Sequence, residues 1–237
     1  MSASAVRAGS RSGFFITGTD TGVGKTRVAV ALVHALTRVG LSVAAMKPIA
    51  AGAESTAEGL RNDDALELLR AASTPAPYSD VNPYCLAAPV SPHLAAAEAG
   101  VHIEIGVIVR RFTALAARAD CVIVEGAGGW LAPISSEETM ADVARALELP
   151  VILVVGLRLG CLNHALLTAE AVRAAGLPLA AWVGNAIEPH FDRAADNIAT
   201  LASRLAMQPL ALIPHGPRND CDVTSESAAA LLSSRPR

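Results

Sequence analysis

From residue 14 to residue 26 the chain reads Phe-Phe-Ile-Thr-Gly-Thr-Asp-Thr-Gly-Val-Gly-Lys-Thr. These residue types at this spacing suit one task, the holding of a phosphate. Gly18, Gly22 and Gly24 strip side chains from a tight turn, so backbone N–H groups can crowd around an oxyanion. Lys25 would reach the terminal phosphates, and Thr26 would place its hydroxyl on Mg²⁺. The following segment has helical spacing and would aim its N-terminus at the anion. The usual motif is G-x-x-x-x-G-K-[ST]. Here Thr19 stands where the first glycine belongs and Gly18 lies one residue further back, so the loop is stretched by one residue. The bland alternative is a Gly-rich strand-to-helix turn that binds nothing.

Further residues with chemical potential follow the other apolar bursts. Lys47 and Pro48 come directly after Ser-Val-Ala-Ala-Met, and Lys47 reads equally as a functional cation or a surface lysine. Asn62 is a helix cap, with Asp63 and Asp64 in the first turn. Favourable helix-dipole chemistry explains those acids without a ligand. A carboxylate aimed at a metal is the other reading. Glu125 ends the run Cys-Val-Ile-Val and precedes Gly126, Ala127, Gly128 and Gly129. A buried strand ending in an acid, with a flexible loop behind it, is the geometry of a metal-side carboxylate in phosphate-loop ATPases. The stretch from Gly160 through Cys161, Leu162 and Asn163 to His164 enters a helix and offers free N–H groups to a carboxylate. Asn185 ends another burst, either to read a base edge or as a turn residue. His93 and His164 are not spaced as a metal pair and read as satisfied helix residues.

The elements that must position these residues are legible from periodicity. β-rich bursts recur at 14–17, 42–46, 120–124, 150–155, 179–183 and 210–213. Helical patterns occupy 25–38, 63–71, 92–99, 104–118, 140–148, 163–175 and 190–206. Ser91 before Pro92, Thr139 and Asn163 read as helix caps, and Gly40 and Gly176 as stops. Strands apolar on both faces and flanked by helices predict an α/β, doubly wound, mostly parallel sheet with helices on both faces. The domain expected is residues 13–216, after a disordered tail at 1–12 and before a partly ordered segment at 217–237. In such sheets ligands bind beyond the carboxyl ends of the strands, where the phosphate loop, Lys47, Glu125, Gly160–His164 and Asn185 fall.

Composition narrows the classes. The chain is 52% hydrophobic but only 3% aromatic, which suits an aliphatic α/β core. A formal net charge of −3 argues against a nucleic-acid surface. Four scattered cysteines without a C-x-x-C pair read as a reduced, cytoplasmic chain, and no apolar run is long enough to span a bilayer. The Ser/Ala-rich start has two arginines, no acid and no apolar stretch of a secretory signal.

Taken together, the phosphate loop, Lys-Pro-Ile-Ala-Ala-Gly at 47–52, Glu-Gly-Leu-Arg-Asn-Asp-Asp-Ala-Leu at 58–66, Val-Asn-Pro-Tyr at 81–84, Ser-Pro-His-Leu-Ala-Ala-Ala-Glu at 91–98, Val-Glu-Gly-Ala-Gly-Gly-Trp at 124–130, the stretch 150–168 and Trp-Val-Gly-Asn at 182–185 closely resemble the dethiobiotin synthetases. The resemblance runs from about Phe14 to His215. It implies a single-domain P-loop NTPase fold and an ATP- and Mg²⁺-dependent ligase of biotin biosynthesis. Its substrates would be 7,8-diaminopelargonate and CO₂. One amine takes up CO₂ as a carbamate, the carbamate attacks the γ-phosphate, and the second amine closes the ureido ring of dethiobiotin.

By matched position, the resemblance assigns the nucleotide to Thr21, Gly22, Val23, Gly24, Lys25, Thr26 and Arg27. Gly126, Ala127 and Gly128 join them, with Asn185, Ala186, Pro214, His215 and Gly216 on the base side. Thr26, Asp64 and Glu125 would hold Mg²⁺, which replaces the dipole reading of Asp64. Lys25 and Lys47 would be catalytic, stabilising the carbamate and the charge growing at the phosphoryl group. The family is homodimeric, and Gly160, Cys161, Leu162 and Asn163 would bind the substrate carboxylate from the neighbouring subunit. Two positions depart from the family. Ala51 replaces a common Ser or Thr at the substrate, which implies one hydrogen bond fewer, and Gly22 stands at a position that is often acidic.

Two rivals share the broad fold. A septum-positioning or plasmid-partition switch would carry a second loop lysine at position 20, where this chain has Asp20, and the chain lacks a basic amphipathic C-terminal helix. An amidotransferase-type cobalamin synthase would need a glutaminase domain for which no residues remain.

Overall fold

In a computed structural model, residues 13–216 and 223–233 of the chain are described. The expected tail at 1–12, Cys221 and most of the C-terminal Ser-Ser-Arg-Pro-Arg lie outside them.

The first half runs β1 (Gly13–Gly18), α1 (Lys25–Arg38), β2 (Val43–Met46), β3 (Ile49–Ala50), β4 (Glu54–Thr56), β5 (Gly59–Arg61), α2 (Asp63–Ala71), α3 (Tyr78–Val81), β6 (Tyr84–Cys85) and α4 (Pro92–Glu98). The second runs α5 (Ile105–Ala116), β7 (Cys121–Glu125), α6 (Met140–Leu147), β8 (Val151–Leu157), α7 (Cys161–Ala174), β9 (Leu179–Ala186), α8 (Ala194–Leu205), β10 (Ala211–Ile213) and α9 (Ser225–Ser233). Six strands form one sheet in the order β10-β9-β8-β1-β7-β2, every pair parallel. The doubly wound parallel sheet expected from the apolar bursts is therefore present.

Alternation along each central strand splits the core into two layers. Phe14 and Ile16 of β1 pack with Val28, Leu32 and Leu36 of α1, while Phe15 faces Phe112, Met140 and Trp130 on the other side. Cys121 and Ile123 of β7 join the first layer, and Val122 and Val124 join the second. Each such buried side chain contributes roughly 1.5–3 kcal/mol. Trp182, fully buried, donates its indole N–H to Met207 O at 2.9 Å.

The register places the chemistry. Ile16 on β1 lies opposite Glu125 on β7, so that acid ends its strand beside the phosphate loop. The chain leaves β1 towards β2 at one edge, and returns through β7 to β8 on its other side. The loops after β1, β7 and β8 therefore meet where the winding reverses, the expected ligand crevice.

Several local readings need correction. α7 starts at Cys161, with Gly160 (φ 93°) as its N-cap, so Asn163 is a first-turn residue and not the cap. Helix α9, the β4–β5 hairpin, the β3–β6 pair and the single-turn α3 were absent from the sequence reading. His93 is not fully satisfied, because its buried Nδ1 has no hydrogen-bond partner. Thr139 does cap α6, in a reciprocal box with Asp142.

Candidate active site

The phosphate loop links buried β1 to buried α1, and its shape is enforced by tertiary contacts. Gly24 adopts φ +90°, and a Cβ there would lie 2.3 Å from the Asn185 amide nitrogen. That amide donates to Val23 O at 2.8 Å, which holds the loop against the end of β9. Thr19 N donates to Val154 O at 3.0 Å on β8. Asp20 organises the loop tip. One carboxylate oxygen accepts the Thr21 N–H at 2.7 Å, and the other accepts from Arg158 at 2.8 Å. The Asp20 carbonyl accepts from Lys25 Nζ at 2.9 Å.

Behind the loop lies a four-membered polar knot. Lys47 Nζ donates to Glu125 Oε1 at 2.5 Å, to Asp64 Oδ2 at 3.2 Å and to Gly126 O at 3.4 Å. Thr26 donates its hydroxyl to the same Glu125 Oε1 at 3.0 Å. Lys47 is 5% exposed and Glu125 1%, which removes the reading of Lys47 as a surface lysine. The strand end that carries Lys47 is gripped on both sides. Its N–H donates to Val81 O at 2.8 Å, and its carbonyl accepts from Asn82 Nδ2 at 2.7 Å. Asp64 arrives on α2, whose start is capped by Asn62 accepting from Ala65 N.

Burial pulls the Lys47 pKa down, but Glu125 and Asp64 outweigh it and hold the ammonium above the ordinary lysine range. A 2.5 Å contact inside the protein thus holds Lys47 and Glu125 as an ion pair, and burial makes the carboxylate its costlier member. Lys25 behaves differently. Burial first, then the neighbouring Lys47 charge, lowers its pKa to about 8.

These groups line one cleft of roughly 840 Å³. Thr21, Gly22, Gly24, Lys25, Thr26 and Arg27 form its phosphate-loop wall, and Lys47, Asp64 and Glu125 its floor. Ala127, Gly128 and Gly129 close one side, while Ala50, Ala51 and Pro89–Pro92 close another. Ala51 presents a methyl there, so the departure from a hydroxyl lies on the cleft surface. The buried Oε2 of Glu125 has no hydrogen-bond partner. An orphaned carboxylate oxygen, the Thr26 hydroxyl and Asp64 form an all-oxygen set suited to a hard divalent cation. No cluster of three His, Cys, Asp or Glu occurs among the described residues, so such an ion would draw further ligands from phosphate and water.

Other expected site residues sit outside this cleft. Val23 is buried in the core, and Gly126 lies behind the knot. Asn185 is 4% exposed, and with Pro214 it meets Arg27, whose guanidinium donates to Asn185 Oδ1 at 3.5 Å and Pro214 O at 3.3 Å. Ala186 ends β9 and is half-buried, whereas His215 and Gly216 are exposed just beyond β10. Gly160 is the N-cap of α7 and Cys161, Leu162 and Asn163 its first residues, and none of the four lines the same chain's cleft. The sequence reading missed Arg158, Asn82 and the Pro89–Pro92 wall as site residues. An Asn-Pro pair and a Pro-x-x-Pro stretch marked two of them.

A protein-family model described as an AAA domain matches residues 12–220. Among solved structures, a MinD cell division protein from Aquifex aeolicus aligns with TM-score 0.56 at 15% identity, covering 95% of this chain and 98% of that one. A ParA family ATPase from Chlorobium tepidum TLS aligns with TM-score 0.52, also at 15% identity, covering 95% and 90%. Such distant likeness reports the fold alone. Sequence relatives are much nearer. An ATP-dependent dethiobiotin synthetase BioD from Pseudomonas aeruginosa is 50% identical over 226 residues, covering 94% of this chain and 96% of the relative. One from Xanthomonas oryzae pv. oryzae is 51% identical over 220 residues, covering 92% and 97%. With that identity across nearly the whole of both chains, and with the phosphate loop, both lysines and both acids gathered in one cleft, the chain belongs to the ATP-dependent dethiobiotin synthetases.

Proposed function

We propose that the cleft closes a ureido ring on 7,8-diaminopelargonate, using CO₂ and ATP and releasing dethiobiotin, ADP and phosphate. One observation carries the reading. Two buried lysines, Lys25 and Lys47, share a single cleft with an oxygen set of Thr26, Asp64 and Glu125 at the mouth of a phosphate loop. Phosphoryl transfer asks for that kind of positioning and charge, not for a covalent nucleophile.

Charge balance supports Mg²⁺. Lys25, Arg27 and Lys47 face only Asp64 and Glu125 in the cleft lining, so a triphosphate brings negative charge that these side chains offset only in part. Thr26, Asp64 and Glu125 would hold the ion, and bound there it would screen the β- and γ-phosphates. Lys25, now donating to its own loop carbonyl, turns to the phosphate. Lys47, bonded to Glu125 and Asp64 on the metal side, shares the cleft with Ala51, beside which the diamine would lie. Its ammonium favours the carbamate over free amine and offsets the repulsion as that anion approaches the γ-phosphate. Asn185, Ala186 and Pro214–Gly216 lie beyond the loop on the side of Arg27, where the base would rest.

A homodimer completes the reading. The α7 start that would take the substrate carboxylate does not line its own cleft, and Leu159 and Leu167 beside it are 90% and 57% exposed. A second copy covering them would bring Gly160–Asn163 to the neighbouring cleft. The cytoplasm suits Cys85 and Cys161, whose thiols form no disulfide. No helix among the described residues is long and apolar enough to cross a membrane.

The test is ATP hydrolysis measured with and without the diamine and bicarbonate. Stimulation that requires both supports the ligase. Turnover indifferent to the diamine would assign the cleft to a nucleotide switch.

A further inference from the structure

Lys47 and Asp64 reach the cleft from separate elements, the end of β2 and the start of α2. Their relative placement decides whether the ammonium lies between the two acids. A short chain of side chains joins the two carriers. Asn62, directly before α2, donates its backbone N–H to the Tyr78 hydroxyl at 2.8 Å. That hydroxyl donates to Asn82 Oδ1 at 3.0 Å. Asn82 Nδ2 in turn donates to the Lys47 carbonyl at 2.7 Å. Asn62 and Asn82 are 9% and 3% exposed, so neither has water as a ready substitute.

We propose that Tyr78 is a positioning residue for phosphoryl transfer, its hydroxyl locking the strand end that carries Lys47 to the helix start that carries Asp64. This rests on the roles assigned above to those two residues. The ring itself is fixed from outside, with the Arg61 guanidinium 4.4 Å from its centroid. Burial, aided by the Cys85 thiol at 3.4 Å, pushes the phenol well above its usual range. It therefore stays protonated and can donate to Asn82 while accepting from Asn62. Neither the Tyr78 nor the Asn82 side chain lines the cleft, and neither needs to touch a substrate. Their effect passes through the position of Lys47 against Asp64 and Glu125.

Tyr78→Phe keeps the ring under Arg61 and removes the shared oxygen. Tyr84→Phe is the control. It deletes a hydroxyl on the same stretch that accepts the Glu104 N–H at 2.8 Å and leads away from the cleft. Two readouts are taken, steady-state kinetics and the affinity for Mn²⁺ of protein loaded with a non-hydrolysable ATP analogue, measured by electron paramagnetic resonance. Small misplacement of reacting groups can cost on the order of a hundredfold in rate. Tyr78→Phe is expected to lower kcat by about tenfold or more and weaken Mn²⁺ binding by about fivefold, with KM for ATP changed less than about threefold. Tyr84→Phe is expected to leave both readouts within about twofold, whatever its thermal midpoint. Asn82→Ala cuts the same path at its next member and carries the test if Tyr78→Phe does not fold. Asp64→Asn and Lys47→Gln are measured alongside. If those two leave Mn²⁺ binding and kcat unchanged, the underlying roles are wrong. If they impair function while Tyr78→Phe or Asn82→Ala matches Tyr84→Phe, the positioning role of Tyr78 is overturned.

Discussion

Replacing Lys47 by glutamine keeps length and polarity and deletes one charge. The structure sets two consequences of different kinds. The first is on stability. Lys47 Nζ lies 2.5 Å from Glu125 Oε1, with side chains 6% and 1% exposed. Removing one member of a buried pair costs about 3–5 kcal/mol, because the other is left charged in a poor solvent. Asp64 adds little to that figure, since its side chain is 35% exposed and screened. The glutamine amide still offers a hydrogen bond, which favours the lower end. For a chain of this size, about 3 kcal/mol corresponds to a fall in Tm of roughly 6–12 °C. The second consequence is kinetic. Losing a charge-assisted hydrogen bond to the carbamate costs roughly 1.5–3 kcal/mol. That predicts a fall in kcat/KM for the diamine of at least about tenfold, with ATP affinity changed much less. Mg²⁺ with an ATP analogue supplies a new counter-charge to Glu125 and should recover much of the lost stability. The assays are thermal unfolding with and without the Mg²⁺ analogue, and kinetics with each substrate varied in turn. A Glu125→Gln background adds a check, since the stability cost of Lys47→Gln should shrink once the stranded carboxylate is gone. Normal diamine kinetics, or a loss confined to ATP, would show that Lys47 is not the second cation. An unchanged Tm would refute the buried ion pair.

Other expectations follow from the same cleft. Lys25→Ala should lower turnover on the order of 10²–10³-fold while leaving circular dichroism unchanged, and activity within a few-fold of the parent would remove Lys25 from the mechanism. With a Lys25 pKa of about 8 against an ordinary 10.5, the unfolded chain binds more protons between those values. Lys25 therefore adds stability as pH rises through that window. Nucleotide binding, which needs the ammonium, should take up about half a proton near pH 8 and weaken above it, as calorimetry in buffers of different ionisation enthalpy would reveal. Glu125→Gln should raise the Mg²⁺ concentration needed for half-maximal rate more than it lowers Tm, and an unchanged Mg²⁺ dependence argues against a metal ligand. Subunits carrying Lys25→Ala and Asn163→Ala should complement when mixed, whereas a fully active monomer would contradict a shared site.

The frame of the fold was legible because its strands are buried on both faces. Runs such as Cys-Val-Ile-Val need no long-range information to be recognised, and the acid that closes this one stood out as Glu125. Helix stops at Gly40 and Gly176 were equally local, and both have positive φ. What stayed hidden depends on contacts between distant segments. Nothing beside Lys47 in sequence announces that it is buried, because its carboxylate partners lie 17 and 78 residues away. Asn185 read evenly as base contact or turn residue, since its hold on Val23 spans 162 residues. Local sequence favoured the dipole reading of Asp64 over a metal-side carboxylate, since its partner Lys47 lies on another element. The β4–β5 hairpin escaped because its strands are three residues each, too short for an alternation signal. α7 was started late because Asn163 is a good cap by type, whereas Gly160 supplies the left-handed turn that ends β8.

A cleft that makes one product from three substrates must yield that product from the purified components alone. The purified chain is incubated with 7,8-diaminopelargonate, ATP, Mg²⁺ and ¹³C-bicarbonate, and the mixture is read by mass spectrometry. Dethiobiotin carrying one ¹³C is expected, formed in step with ADP and absent when any one component is left out. ADP released without labelled dethiobiotin would contradict the proposed reaction.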